Sequence, residues 1–368
     1  MDKAALDSII NPGIDTLKPY QPGKPIEELQ REYGLDNIIK LASNENPLGA
    51  SDTVKQVLAN SEISLAHYPD GSCYTLKNAL AKHHSIDAQC LTLGNGSDSL
   101  LAMLIQCFAN PKRPIVVSEY AFASYRLMAQ SFNVPVIEVP AKGWQHDVGA
   151  MAAAVDENTS MVFIANPNNP TGTYLNHSEL EYLLSRLPKT CFLVLDEAYY
   201  EYASSTDYPD SIALQQKYPN IVTTRTFSKA YGLAGLRVGY SVSDPDIANV
   251  LNRIRLPFNI SIPAQTAAIA ALNDEEHLRQ SLRVNAEGKA QLTNAFDAME
   301  LLYIESQANF ITVDCKQQVM PIYEELLTRG IIVRPLTPYR MPQHLRISIG
   351  LRAENQRLID ELDNILRR

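Results

Sequence analysis

Between residues 90 and 260, short runs of β-branched and aliphatic residues recur, each separated from the next by a stretch with helical spacing. PIVVS (114–118), VPVIEV (134–139), SMVFIA (160–165), CFLVLD (191–196), NIVTTRTF (220–227) and LRVGYSV (236–242) have the length and composition of strands. SLLAMLIQCFA, SYRLMAQSF and SELEYLLSRL lie between them and place apolar residues three and four apart. Strands that are apolar throughout need cover on both faces. The pattern therefore predicts an α/β fold, a mainly parallel sheet wrapped by helices. In such a sheet ligands sit beyond the carboxyl ends of the strands, so functional residues are expected directly after each one.

After residue 260 the strict alternation stops. A long polar helix over 274–299 precedes FITVDC, a further helix, IIVRPL, LRISIG and a last helix, which reads as a second, α+β unit. The start, NPGIDTLKPYQPGKP, is rich in Pro and Gly and reads as an extended arm. A chain of 368 residues exceeds what one core usually holds. The expected division is an N-terminal arm over 1–44, a large unit over 45–260 and a smaller unit over 261–368.

A net charge of −9 argues against a nucleic-acid footprint, which needs a basic face, and leaves room for an anionic small molecule held by local arginines. The five cysteines are scattered, with no CxxC pair, and the seven histidines include no HExxH, so no metal site is expected. No apolar run is long enough to span a bilayer. The start, MDKAALDSIINPGID, lacks a secretory pattern, and a cytoplasmic protein is expected.

The residues following the strands carry chemistry. NPNNPTG (166–172) after SMVFIA is a rigid turn that leaves the Asn169 amide fixed, or a turn and nothing more. DEAYYEY (196–202) begins with an acid whose burial is costly without a donor or cation. Asp196 and Tyr199 can converge on one ligand if the chain turns helically, although Asp196 can also serve as a helix cap. Ser228 and Lys229 follow NIVTTRTF, with Arg237 eight residues beyond Lys229. GNGSDS opens a helix, where Gly96, Ser97 and Asp98 present free N–H groups suited to an anion. Together these residues offer an anion site, a buried acid for a protonated ring nitrogen, a phenol and an amide for a ring oxygen, and an amine for an aldehyde. Pyridoxal 5′-phosphate has all four handles.

The blocks LKPYQPGKP, LASNENPLG, HYPDG, GNGSDS, YAFASY, NPNNPTG, DEAYYEY, TFSKAYGLAGLR, IIVRPL and LRISIG resemble, in order and nearly end to end, those of the fold-type I pyridoxal-phosphate aminotransferases. LASNENP with YPDG resembles the histidinol-phosphate branch of that family. The resemblance implies a large domain with a seven-stranded, mostly parallel sheet and a small domain built from both termini. It implies Lys229 as the residue bonded to the cofactor aldehyde, Asp196 on the ring nitrogen, and Tyr199 and Asn169 on the ring oxygen. Ser228, Arg237, Gly96, Ser97 and Asp98 would hold the phosphate and Phe122 would stack on the ring. Tyr68 would reach the cofactor phosphate of a second copy, implying a homodimer. Tyr20, Asn44, Arg334 and Arg346 fall on the substrate side. The implied reaction moves an amino group from L-histidinol phosphate to 2-oxoglutarate, giving glutamate; an aromatic amino acid, Phe or Tyr, is the alternative donor.

Overall fold

The structure is a computed structural model, and it describes residues 2–367 apart from Lys3, Ala4, Asp7, 20–22 and 61–65. Strand β1 (Ile39–Lys40) comes first. Seven strands then form the large sheet: β2 (Leu91–Asn95), β3 (Ile115–Ser118), β4 (Val136–Val139), β5 (Met161–Ala165), β6 (Phe192–Asp196), β7 (Ile221–Thr226) and β8 (Val238–Val242). Their spatial order is β2-β8-β7-β6-β5-β3-β4. The pairings from β7 to β4 are parallel, and β8 runs antiparallel to both β2 and β7.

Alternate residues of the central strands enter two different cores. Val117, Phe163, Val194 and Val222 pack under the helices Ser97–Phe108, Ala123–Ser131 and Pro245–Ile254. Val116, Ile164, Leu195 and Ile221 pack under Val148–Ala153 and His177–Leu184. Both faces are covered, so neither polar alternation nor a solvent face is left in these runs. The same period of two sends Asp196, Thr224 and Thr226 to the first face and Arg225 to the second.

The smaller sheet contains β9 (Leu302–Ile304), β10 (Phe310–Asp314), β12 (Arg334–Pro335) and β13 (His344–Ser348), in the order β12-β13-β10-β9. Strand β11 (Ile331–Ile332) pairs in parallel with β1, which ties the N-terminal segment to the C-terminal unit. The arm is not extended throughout: Ile26–Tyr33 is a helix, ended by Gly34 in the left-handed conformation. The helix Ile262–Leu272 packs with the core beside β2 and β8. The division expected at 260/261 thus falls ahead of a helix that belongs by packing with the large unit. Glu275–Ala298 crosses between the units. Its buried stripe (Ser281, Asn285, Gly288, Leu292 and Phe296) ends in the small core, and Leu278 and Leu282 pack against Tyr199, Tyr202 and Phe310.

Candidate active site

The ends of β5, β6 and β7 and the start of the helix Ser97–Phe108 meet the arm and the small sheet in one cleft. Asn44, Ser97, Asp98, Phe122, Asn169, Asp196, Tyr199, Ser228, Lys229, Arg237, Arg334 and Arg346, all singled out in the sequence, line it. Gly96 sits directly beneath. Tyr68 does not line the cleft; it is 80% exposed and stacks on Phe258 with centroids 4.5 Å apart. Tyr20 lies outside the described residues.

Two consecutive buried acids at the end of β6 are treated differently. Glu197 receives Arg225, whose Nε and Nη2 stand 2.9 and 2.8 Å from Oε2, and that guanidinium also lies 3.6 Å from the centroid of the Tyr200 ring. Asp196 receives neutral donors: the Tyr125 hydroxyl at 2.7 Å on Oδ2 and the Thr224 hydroxyl at 3.3 Å on Oδ1. Among the described residues no cationic side chain pairs with it. Burial pushes its carboxyl up to about 6; the Tyr125 hydrogen bond opposes this and the Asp98 charge adds to it. An acid that is desolvated yet denied a cation in a chain that supplies one to its neighbour is suited to receive a cationic group.

The anion cradle depends on close approach. Gly96 has φ of 75°, and a Cβ there would come within 2.4 Å of Arg237 Nη2. The Gly96 N–H donates to the Arg237 carbonyl at 2.9 Å, and Arg237 Nη1 donates to Ser228 Oγ at 3.3 Å. Asp98 turns its carboxylate to Arg237 at 3.6 Å, so its part in an anion site is its backbone N–H. A guanidinium, a hydroxyl and the free N–H groups of a helix start converge there, which suits a phosphate.

Lys229 Nζ donates to the Ser43 carbonyl at 3.0 Å and lies 5.6 Å from the Tyr199 ring centroid. The Tyr199 hydroxyl accepts from Asn44 Nδ2 at 2.9 Å, and burial raises its ionisation above the usual phenol range. Asn44 has φ of 54° and is fixed from the small unit, its Oδ1 accepting from Ser348 Oγ at 3.0 Å and its carbonyl from Asn309 Nδ2 at 3.0 Å. Arg346 donates to Asn169 Oδ1 and, at 2.7 Å, to the Ala42 carbonyl. Arg334 and Arg346 are register partners across β12 and β13. Like charges placed directly opposite repel, so the pair suits an anion placed between them.

The residues present therefore fit pyridoxal phosphate: an acid for its ring nitrogen, a cradle for its phosphate, an amine for its aldehyde and the Phe122 ring beside them. Sequence reasoning missed Tyr125, Thr224, Thr226 and the Ser43 carbonyl. Tyr125 lies three residues after Phe122 on a helical run, and Thr224 and Thr226 share the strand face of Asp196; those spacings were the available signal. Among the described residues no group of acids, histidines and cysteines could hold a metal ion, and no helix is long and apolar enough to cross a membrane.

Residues 36–362 match the family model for aminotransferase class I and II. The chain is 51% identical to histidinol-phosphate aminotransferase 1 of Nitrosococcus oceani over 96% of each chain. It is 48% identical to histidinol-phosphate aminotransferase 2 of Pseudomonas fluorescens over 98% of each. The crystal structure of histidinol-phosphate aminotransferase from Sinorhizobium meliloti in complex with pyridoxal-5′-phosphate superposes with a TM-score of 0.89 at 30% identity, covering 98% of each chain. Aspartate aminotransferase from Thermus thermophilus with maleate shares the fold at 21% identity, with a TM-score of 0.81.

Proposed function

The chain belongs to the class I and II aminotransferases, and from that premise we propose that it transfers the amino group of L-histidinol phosphate to 2-oxoglutarate. The products are imidazole acetol phosphate and L-glutamate, a step of histidine biosynthesis, with pyridoxal 5′-phosphate as resident cofactor. What carries this reading is the pair of register-matched arginines, Arg334 and Arg346, on the wall of the cleft that also holds Lys229 and Asp196.

When bound, the cofactor supplies an aldehyde carbon for amines and a ring that spreads the electron pair left when a Cα–H bond breaks. The chain's own groups do the rest. Ser228, Arg237 and the N–H groups at the start of the helix Ser97–Phe108 bind the phosphate. Asp196 holds the proton on the ring nitrogen, and Tyr199 with Asn169 orients the ring-oxygen side. Lys229 Nζ, the one amine lining the cleft among the described residues, would take the proton from substrate Cα and deliver it to C4′, the cofactor's aldehyde carbon, a role worth roughly 10²–10⁴ in rate. Arg334 and Arg346 bind the anionic tail of either substrate, a phosphate or a carboxylate, since a guanidinium fork matches both. The enzyme acts in the cytoplasm as a homodimer. Exposed Tyr68 and Phe258, stacked on each other, and Leu256, two residues before Phe258, support that contact surface, and Tyr68 is assigned to the partner's cofactor phosphate.

The test is kcat/KM for histidinol phosphate against phenylalanine, each with 2-oxoglutarate. A ratio of about a hundred or more, corresponding to about 2.7 kcal/mol of transition-state preference, is expected. A ratio near one, or inverted, would make the enzyme an aromatic aminotransferase and overturn the substrate assignment.

A further inference from the structure

The YAFASY segment contributes more than the Phe122 ring. Phe122 is the N-cap of the helix Ala123–Ser131, and Tyr125 stands one turn further on, fully buried. The Tyr125 ring stacks on Phe163 with centroids 4.8 Å apart and meets Phe122 edge-on at 5.7 Å. Its hydroxyl is thereby aimed at one atom, Asp196 Oδ2, at 2.7 Å. On the other oxygen, Thr224 donates across the β6–β7 pair, where Asp196 and Thr224 are register partners, at a longer 3.3 Å.

We infer that Tyr125, and more weakly Thr224, are positioning residues that set where the proton between Asp196 and the ring nitrogen of the cofactor resides. This rests on pyridoxal phosphate being the resident cofactor. A buried carboxylate facing a pyridine nitrogen shares one proton with it. Each hydroxyl that donates to the carboxylate stabilises its ionised form and so leaves the proton on the ring, where it favours electron withdrawal. Burial and the nearby Asp98 charge act in the opposite sense. The phenol can only donate in this setting, because burial and the Asp196 charge hold its own ionisation far above the working range. A guanidinium in its place would also keep the carboxylate ionised, but would pair with it and exclude the ring cation. Neutral donors, the two hydroxyls and the Ala198 backbone N–H, keep the acid charged and still receptive.

The hydrogen-bond lengths rank the two hydroxyls, so the inference predicts a graded series. In enzyme loaded with pyridoxal phosphate labelled with ¹⁵N in the ring, the nitrogen resonance of wild type is expected at the protonated position. In Tyr125→Phe it should move towards the unprotonated position, and in Thr224→Val it should move the same way by less. kcat should fall about tenfold in Tyr125→Phe and roughly two- to threefold in Thr224→Val, consistent with the strength of hydrogen bonds to charged groups, with KM little changed. Thermal unfolding of each loaded variant reports whether the core is intact. An unchanged ¹⁵N shift in a folded Tyr125→Phe enzyme, or a larger shift from Thr224→Val, would overturn the inference. Failure of wild type to bind the labelled cofactor would instead remove the functional reading on which it stands.

Discussion

Glu197 has a cationic partner and Asp196 has neutral donors alone, and the difference has a thermodynamic consequence. Burial, opposed by the Tyr125 hydrogen bond, leaves the Asp196 carboxyl raised from 3.8 to about 6. A raised acid binds its proton more tightly folded than unfolded. Cofactor-free protein therefore loses stability as pH rises through about 6 and regains it as pH falls. The shift corresponds to roughly 3 kcal/mol between pH 4 and pH 7. A ring cation against the carboxylate removes that cost. The stabilisation gained on loading the cofactor should thus be largest near pH 7–8 and shrink as pH falls below 6. Differential scanning calorimetry of loaded and cofactor-free protein across this range measures it, with Asp196→Asn as the variant in which the Asp196-dependent part vanishes. Equal pH dependence in wild type and Asp196→Asn would contradict this account.

The elements position these residues through a few close approaches, and the turn between β2 and its helix is the tightest. A methyl group at Gly96 would meet Arg237 Nη2 at 2.4 Å in a backbone conformation, φ of 75°, that side chains rarely adopt. Gly96→Ala should therefore weaken pyridoxal phosphate binding by about tenfold or more, because the Arg237 guanidinium must leave its place in the anion cradle, while the sheet stays folded. Equilibrium dialysis for the cofactor and far-ultraviolet circular dichroism for the fold give the two readouts. The strands themselves were legible because central parallel strands are apolar on both faces, and SMVFIA and CFLVLD cannot be placed otherwise. The residues after them were legible because a costly group at the end of an apolar run needs a reason. Ile26–Tyr33 was hidden behind the prolines and glycine that precede it, and its apolar side faces the C-terminal unit, a contact no local window contains. Arg225 looked like one more strand residue. Its meaning depends on Glu197 lying just past the end of the adjacent strand and Tyr200 just beyond it.

At the scale of the molecule, the site is assembled across units. Asn44 from the arm fixes Tyr199, Arg346 from the small sheet holds Asn169, and Thr312 donates to the Pro170 carbonyl, so the cleft exists only when both units are docked. The proposed homodimer would extend this assembly to a second chain, with the exposed Tyr68 as the side chain assigned to reach it. If Tyr68 acts in the partner's site while Lys229 acts in its own, the two defects are separable. Lys229→Ala homodimers lack the amine in both sites, and Tyr68→Ala homodimers lack the phenol in both. A mixed dimer has one site with both defects and one that is wild type. Random reassortment of the two variants in equal amounts puts half the chains into mixed dimers, so activity should recover to about a quarter of wild type. Steady-state assay before and after co-refolding measures the recovery. Activity that stays at the mean of the two parents would place Tyr68 in its own chain's site or in none.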